Sequence, residues 1–485
     1  MVDRTEWETV IGLEVHVQLN TESKIFSGDR NSFGNRPNTD VGAITLAHPG
    51  TLPLVSKEVV AMAMKLGIAL DCQINRNLIF DRKNYFYPDS PKGYQITQDT
   101  TPICLGGSIQ VIKEGLASFS VELTKIHLEE DAGKSIHVQG KKYTNVDLNR
   151  AGVPLVEIVT EPLIVSSEQA GLCLITLRRL VRYLEISDGN MEQGSLRCDA
   201  NVSVRRSGQP LGSKVEVKNM NSIRNVRKAI DYEIDRQINS LTKGIPIISE
   251  TRMYHPETNT TSGMRTKEAL NDYRYFPEPD ISPIFISDQW YDQVKASLPM
   301  LPQEVRNLLI TKYGLPSYDS ELLSEDHHQA AYFFKTAELC KNYKAISNWM
   351  MGIIKSFLKE SGIEITQFVI TPAQLASLLQ AVDDKLLSHS DATQRVFKYM
   401  LEDSGIALTE ILVNLGLTQQ GEEQDVQPLI DAVLNEHAIK VKEYHNGKKG
   451  IAGMFMGLVK KRATGGLDPV RLEQMIIESL KKNKQ

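Results

Sequence analysis

The apolar residues of this chain change their period partway along it, and that change divides any fold the chain can adopt. Up to about residue 290 they recur at every second position. "VIGLEVHVQL", "ASFSVELTKIHLEE", "VPLVEIVTE" and "LRCDANVSVR" read as strands, set apart by connectors rich in Gly, Pro and Asn/Asp. A Pro-rich stretch, "YFPEPDISPIFIS" at 275–287, ends that pattern. Beyond it the apolar residues recur every three to four positions, as in "QEVRNLLITKYG" and the run from His327 to Glu360. Strand side chains point to two faces in turn, so a sheet of such strands must have one apolar face covered. Two helices within the strand region can cover it. One opens at Ser166, with Gln169 at capping-box spacing, and carries Leu172, Leu177, Leu180, Val181 and Leu184. The other follows Ser222, with Val226, Ile230, Ile234 and Ile238 spaced by four. The expected fold class is α+β, helices on an antiparallel sheet, followed by an all-α remainder. A second change of character near 405 divides that remainder. The expected domains are residues 1–294, 295–408 and a small helical tail, 409–485.

Composition narrows the class. Of 485 residues, 41% are hydrophobic and 24% charged, which supports a packed core and excludes a wholly disordered chain. No run of about 18 apolar residues occurs, so no membrane-spanning helix is expected. The start, "MVDRTEWETV", lacks a basic-then-apolar leader, which leads us to expect a cytoplasmic protein. Cys72, Cys104, Cys173, Cys198 and Cys340 are scattered and odd in number, which argues against a disulfide framework or a cysteine-built zinc site. The net charge is −5, yet residues 441–485 hold ten Lys/Arg against four acids. A basic end on an acidic body suits one local contact with a polyanion, or a solvated helical face.

The polar strand faces carry the candidate chemistry. Glu14, His16 and Gln18 line one side of the first strand, opposite Ile11, Leu13, Val15, Val17 and Leu19. A carboxylate beside an imidazole can bind a divalent metal or move a proton, although a solvated face is the commoner arrangement for one strand alone. In "KIHLEEDAGK", Lys125, His127, Glu129 and Asp131 share a face, and the adjacent acids repel unless cations or water compensate. The following "AGKS" lacks the spacing of a phosphate loop. Glu157 lies among Val153, Leu155, Val156, Ile158 and Val159, where a carboxylate needs a metal, a basic partner or a proton. It is either half of a structural ion pair or a functional acid. In "RCDANVSVR", two guanidiniums bracket an acid, an amide and a hydroxyl: Arg197, Asp199, Asn201, Ser203 and Arg205. Guanidiniums suit phosphate, and Asp or Asn suits a metal or a ribose hydroxyl. "KVEVK" repeats the alternation with Lys214, Glu216 and Lys218 outward, so the two strands read as a hairpin whose polar face meets solvent or forms a binding floor. "FDRKNYFYPDSPKGYQ" mixes Arg82, Lys83 and Lys92 with Tyr85, Tyr87 and Tyr94, a combination able to stack a base and neutralise phosphate. With no complete phosphate loop, an ATP site would have to stand on a sheet face, with metal ions neutralising the phosphates.

Taken together, "IGLEVHVQL", "RKNYFYPDSPKGYQI", "LEEDAGKSIH", "DLNRAGVPLVEIVTEP", "RCDANVSVR", "EVKNMNS", "DYRYFPEPD" and the tail run "GMFMGLVKKRATGGLDP" resemble the B-type chains of the tRNA-dependent amidotransferase family. The resemblance spans essentially the whole chain. It implies an N-terminal antiparallel cradle similar to glutamine synthetase and guanidino kinases, then a helical domain and a helical tail. It implies ATP-dependent phosphorylation of the side-chain carboxylate of Glu-tRNA(Gln) or Asp-tRNA(Asn). Ammonia then arrives through a tunnel from an amidase partner, in a heterotrimer tied by a small third subunit. Carried over, Glu14, His16, Glu129 and Glu157 become catalytic ligands of Mg²⁺, with Mn²⁺ the alternative. Asp199, Asn201, Ser203 and Arg205 fall to the nucleotide and phosphate floor, and Lys83 and Lys92 to the substrate and tunnel junction. Lys460, Lys461 and Arg462 fall to tRNA backbone contact. Many members carry a cysteine pair before "PGTLP" that can hold zinc. This chain has "VGAITLAHPGTLP" there, so no zinc is expected.

Overall fold

The computed structural model describes residues 3–112, 115–138, 140–266, 273–417, 426–448, 450–462 and 469–482. The end of the tail run, residues 463–468, lies outside the described residues. The chain forms two compact units, Met1–Leu309 with Ser324–His327, and Ile310–Leu323 with His328–Gln485.

The first unit is built on a ten-stranded sheet. In chain order its strands are β1 (Trp7–Gln18), β2 (Gln73–Ile74), β3 (Cys104–Leu105), β4 (Ser108–Val111), β5 (Phe119–Glu130), β6 (Pro154–Thr160), β7 (Leu196–Arg206), β8 (Val215–Lys218), β9 (Glu250–His255) and β10 (Thr260–Thr266). They lie in the order β10-β9-β8-β7-β1-β6-β5-β3-β2, with β4 also on β5. The alternation in the first strand therefore belongs to a central strand, hydrogen-bonded on both edges to β6 and β7. Ile11, Leu13, Val15 and Val17 are each at most 1% exposed, and they join one core with the apolar faces of the helices.

The two expected helices are present, α2 at Ser167–Tyr183 and α3 at Ile223–Thr242. The Ser166 hydroxyl accepts from Gln169 N–H and the Ser222 hydroxyl from Asn225 N–H, each at 3.1 Å. A third helix, α1 (Lys57–Ala69), adds to the two expected. Its sequence, "KEVVAMAMKLGIA", is apolar over most of its circumference, so it shows no polar stripe to mark a helical period. It buries Val59, Val60, Ala63, Met64 and Leu66. The sheet also departs from pure antiparallel order: β9 pairs parallel to β8. The chain makes that pairing through α3, the long crossover that parallel neighbours need.

Among the described residues the second unit contains helices and no strand. Within it, Gln427–Glu436, Ala438–His445, Ile451–Arg462 and Pro469–Lys482 enclose an apolar cluster of their own, including Ile430, Val433, Phe455, Val459, Leu472, Ile476 and Leu480.

Candidate active site on the polar face of the sheet

Strand register places the polar residues in rows. His16 on β1 lies opposite Glu157 on β6, and Glu157 opposite His127 on β5. On its other edge His16 faces Arg197 of β7, and Glu14 faces Asp199. Residues far apart in the chain thus meet because their strands are neighbours and the side-chain period is two.

Two clusters result. In the first, His16 Nε2 lies 3.5 Å from Glu129 Oε1 and 3.4 Å from Glu157 Oε2. The donor atoms of His16, Glu129 and Glu157 all lie within 4.8 Å of one another. In the second, Glu14, Asp199 and Glu216 meet the same limit. Asn201 donates to Glu14 Oε1 at 2.8 Å and Thr251 to Glu216 Oε2 at 2.7 Å. Lys218 Nζ binds Asp199 at 2.5 Å and Glu216 at 2.9 Å. The four acid and imidazole groups singled out in the sequence therefore divide. Three converge, and Glu14 joins a neighbouring acid group through Asp199. Glu216, Lys218 and His127 in this floor are not among the site residues the sequence singles out. Glu216 is legible as an outward position of "KVEVK", and His127 as a companion of Glu129 on one strand face.

Electrostatics reflects the crowding. Burial and the Glu157 charge push the Glu14 carboxyl up. Burial would raise Glu157 too, but hydrogen bonds from His127 and His16 outweigh it and hold this carboxyl well below the usual range. Burial alone would lower His127, yet hydrogen bonds to Glu129 and Glu157 and their charges hold it up at about 9. Three carboxylates within 4.8 Å repel unless cations intervene. Lys218 supplies one such charge. Oxygen-rich donors with one imidazole fit a hard or borderline divalent ion, so the residues fit the Mg²⁺ or Mn²⁺ that the resemblance implies.

The remaining candidates are spread out. Ser203 is buried, and its hydroxyl has no hydrogen-bond partner among the described residues. Arg205 donates to Glu8 at 2.8 Å. It stands six residues along β7 from Asp199, about 20 Å at strand rise. Lys92 Nζ pairs with Glu130 and lies 5.6 Å from the ring centres of Phe26 and Tyr94. That pair borders a cavity of about 20 Å³ shared with Thr45, Asp131 and Gly152, room for about one water. Lys83 lies 5.1 Å from the Tyr273 ring centre. In the stretch without the cysteine pair, the Gly42 N–H and the Thr45 hydroxyl both donate to the Asp29 carboxylate. Lys460 and Lys461 are exposed, whereas Arg462 makes a two-point pair with Glu436 at 2.7 and 3.0 Å.

Comparison with known proteins identifies relatives along nearly the whole chain. The GatB/GatE catalytic domain model matches residues 9–292, and the GatB domain model matches residues 331–480. Several relatives are named as the B subunit of aspartyl/glutamyl-tRNA(Asn/Gln) amidotransferase. One from Pseudomonas syringae pv. tomato is 42% identical over 97% of this chain and 98% of its own. One from Trichodesmium erythraeum is 43% identical, covering 98% of both chains. One from Thermodesulfovibrio yellowstonii is 43% identical over 98% of this chain and all of its own.

Proposed function

Because the chain belongs to the GatB family, the B subunits of aspartyl/glutamyl-tRNA(Asn/Gln) amidotransferases, we propose that it activates and amidates the side-chain carboxylate of a misacylated Glu-tRNA(Gln) or Asp-tRNA(Asn). The side-chain carboxylate oxygen attacks the γ-phosphorus of ATP, and ADP leaves. Ammonia then attacks the acyl carbon of the resulting acyl phosphate. Inorganic phosphate departs, the nitrogen loses a proton and the amide remains.

One observation carries this reading. His16, Glu129 and Glu157, with Glu14, Asp199 and Glu216 beside them, converge from five strands on one face of the sheet. Glu14, His16, Glu129 and Glu157 would hold Mg²⁺ or Mn²⁺, joined by Asp199 and Glu216. Bound there, a divalent ion offsets the repulsion between a triphosphate and an anionic substrate. Lys218 offsets part of the charge of Asp199 and Glu216, and Asn201 fixes the orientation of Glu14. Asn201, Ser203 and Arg205 extend the same face toward the nucleotide. An acyl phosphate must meet ammonia before water. We assign that entry to the part-buried Lys92–Glu130 pair, with Lys83 on the substrate side.

The word subunit in the relatives' names supports action within a complex. We assign an amidase partner and a small bridging chain in a cytoplasmic heterotrimer. No helix among the described residues is long and apolar enough to cross a membrane. The glutamine synthetase-like cradle and the division at 294 and 408 belong to the same proposal, and the separate apolar cluster of the last four helices supports a distinct tail.

The test uses the complex with its co-purifying partners, ATP, glutamine and each mischarged tRNA. Glu129→Gln and Glu157→Gln should each lower amide formation by more than about 100-fold, beyond what loss of an outer-shell contact costs. Affinity for tRNA should stay within about twofold, because phosphate contacts elsewhere supply it. Full turnover in both variants would refute the assignment.

A further inference from the structure

His127 touches two of the proposed ligands and has no assigned part. From its geometry we infer that His127 is a positioning residue: its Nε2 holds the Glu157 carboxylate turned toward His16, without binding the cation itself. The inference rests on the cation reading above.

The distances distinguish the two imidazoles. His127 Nε2 lies 3.1 Å from Glu157 Oε2, the shortest imidazole–carboxylate separation in the cluster. His16 stands at 3.4 and 3.5 Å from the carboxylates. The donor atoms of His16, Glu129 and Glu157 all lie within 4.8 Å of one another, a grouping that suits atoms sharing an ion. Glu129 spans both rings, with Oε1 toward His16 and Oε2 3.7 Å from His127. Glu157 sits between the rings in register, so each imidazole limits how far its carboxylate can turn.

Burial separates the roles as well. The His16 side chain is 21% exposed and that of His127 8%. His16 is therefore the more open of the two, and His127 stands on the far side of Glu157 from it in the same row. The Nδ1 atom of His127 is buried and has no hydrogen-bond partner among the described residues. All polar contact of this ring therefore runs through Nε2. A donor behind a metal-binding carboxylate fixes its orientation, and its loss typically costs about 10–100-fold in metal affinity.

Mn²⁺ titrated into the full-length chain and followed by electron paramagnetic resonance reads affinity without turnover. His127→Leu should weaken Mn²⁺ binding by about 10–100-fold. His127→Gln, whose amide N–H can still donate, should recover most of it. Nitrogen modulation in the pulsed spectrum of bound Mn²⁺ should persist in His127→Gln and vanish in His16→Gln. Unchanged affinity in His127→Leu overturns the inference, and so does loss of the modulation in His127→Gln, which would make His127 a ligand. If His127→Leu fails to fold, the modulation in His127→Gln decides alone. If Glu157→Gln binds Mn²⁺ like the wild type, the cation reading itself fails, whatever His127 does.

Discussion

Glu129, Glu130 and Asp131 follow one another, and each is buried to within 5% of full cover. Such a run is tolerable only because each acid finds a different partner. Glu129 meets the imidazoles. Glu130 accepts from Lys92 and from the Ile96 N–H at 2.8 Å. Asp131 accepts from Arg197 at 2.6 Å and Gln18 at 2.9 Å. The sequence announces that the run needs compensation but cannot name the partners, which come from up to 113 positions away. Lys24 makes the opposite case. It is 1% exposed, and its ammonium donates at 2.7 Å to the Asp40 carbonyl. Burial pulls it down to about 8, with Asp29 and Asp40 opposing. Its folded value lies below the unfolded one of about 10.4. Its stabilising contribution is therefore complete above that unfolded value and is lost as pH falls through 8. Lys24→Met should gain stability relative to wild type on going from pH 10.5 to pH 7, by up to about 3 kcal/mol at 1.36 per unit. Urea unfolding at both pH values measures the difference, and a pH-independent difference would contradict it.

At the scale of elements, helix starts are the most legible feature. Ser166 and Ser222 each supply a hydroxyl to the third residue of the helix that follows, a local interaction that needs no tertiary partner. Ser166→Ala and Ser222→Ala should each cost about 1 kcal/mol, with a lower thermal midpoint and an unchanged circular dichroism spectrum below it. The hairpin of β7 and β8 is also readable from its two alternating runs. Helix α1 is not, because a helix buried on most sides loses the polar stripe that reveals its period. The parallel pairing of β8 with β9 is equally hidden. Nothing local to "ETRMYH" states which edge it joins, and α3 settles that by carrying the chain across.

At the scale of the whole molecule, charge is distributed so that one end suits a polyanion. The last four helices hold together through their own apolar cluster, which lets Ile451–Arg462 present its basic final turn on a folded support. Lys460 and Lys461 make no ion pair among the described residues, and Arg462 is engaged by Glu436. As candidate phosphate contacts the three are therefore unequal. Replacing Lys460 and Lys461 together by Ala should reduce the slope of log affinity for tRNA against log salt by roughly 1.4–1.8, at about 0.7–0.9 per lost contact. Arg462→Ala should change it less, because Glu436 already neutralises that guanidinium. Filter binding of uncharged tRNA across a salt series checks both. Equal effects from all three residues would show that the Arg462 pair opens on binding.

The layers of this protein are written in its local patterns. The period of two sets which strand faces are apolar, the period near 3.6 marks the helical half, and the capping serines mark where two helices begin. These are properties of neighbouring residues, so they need no knowledge of the fold. Which polar residues meet is a tertiary outcome. His16, Glu129 and Glu157 become one group, and Glu14, Asp199 and Glu216 another, through strand order and register. A strand's neighbours are chosen by long-range burial of its apolar face, and that choice leaves no mark within any one stretch of chain.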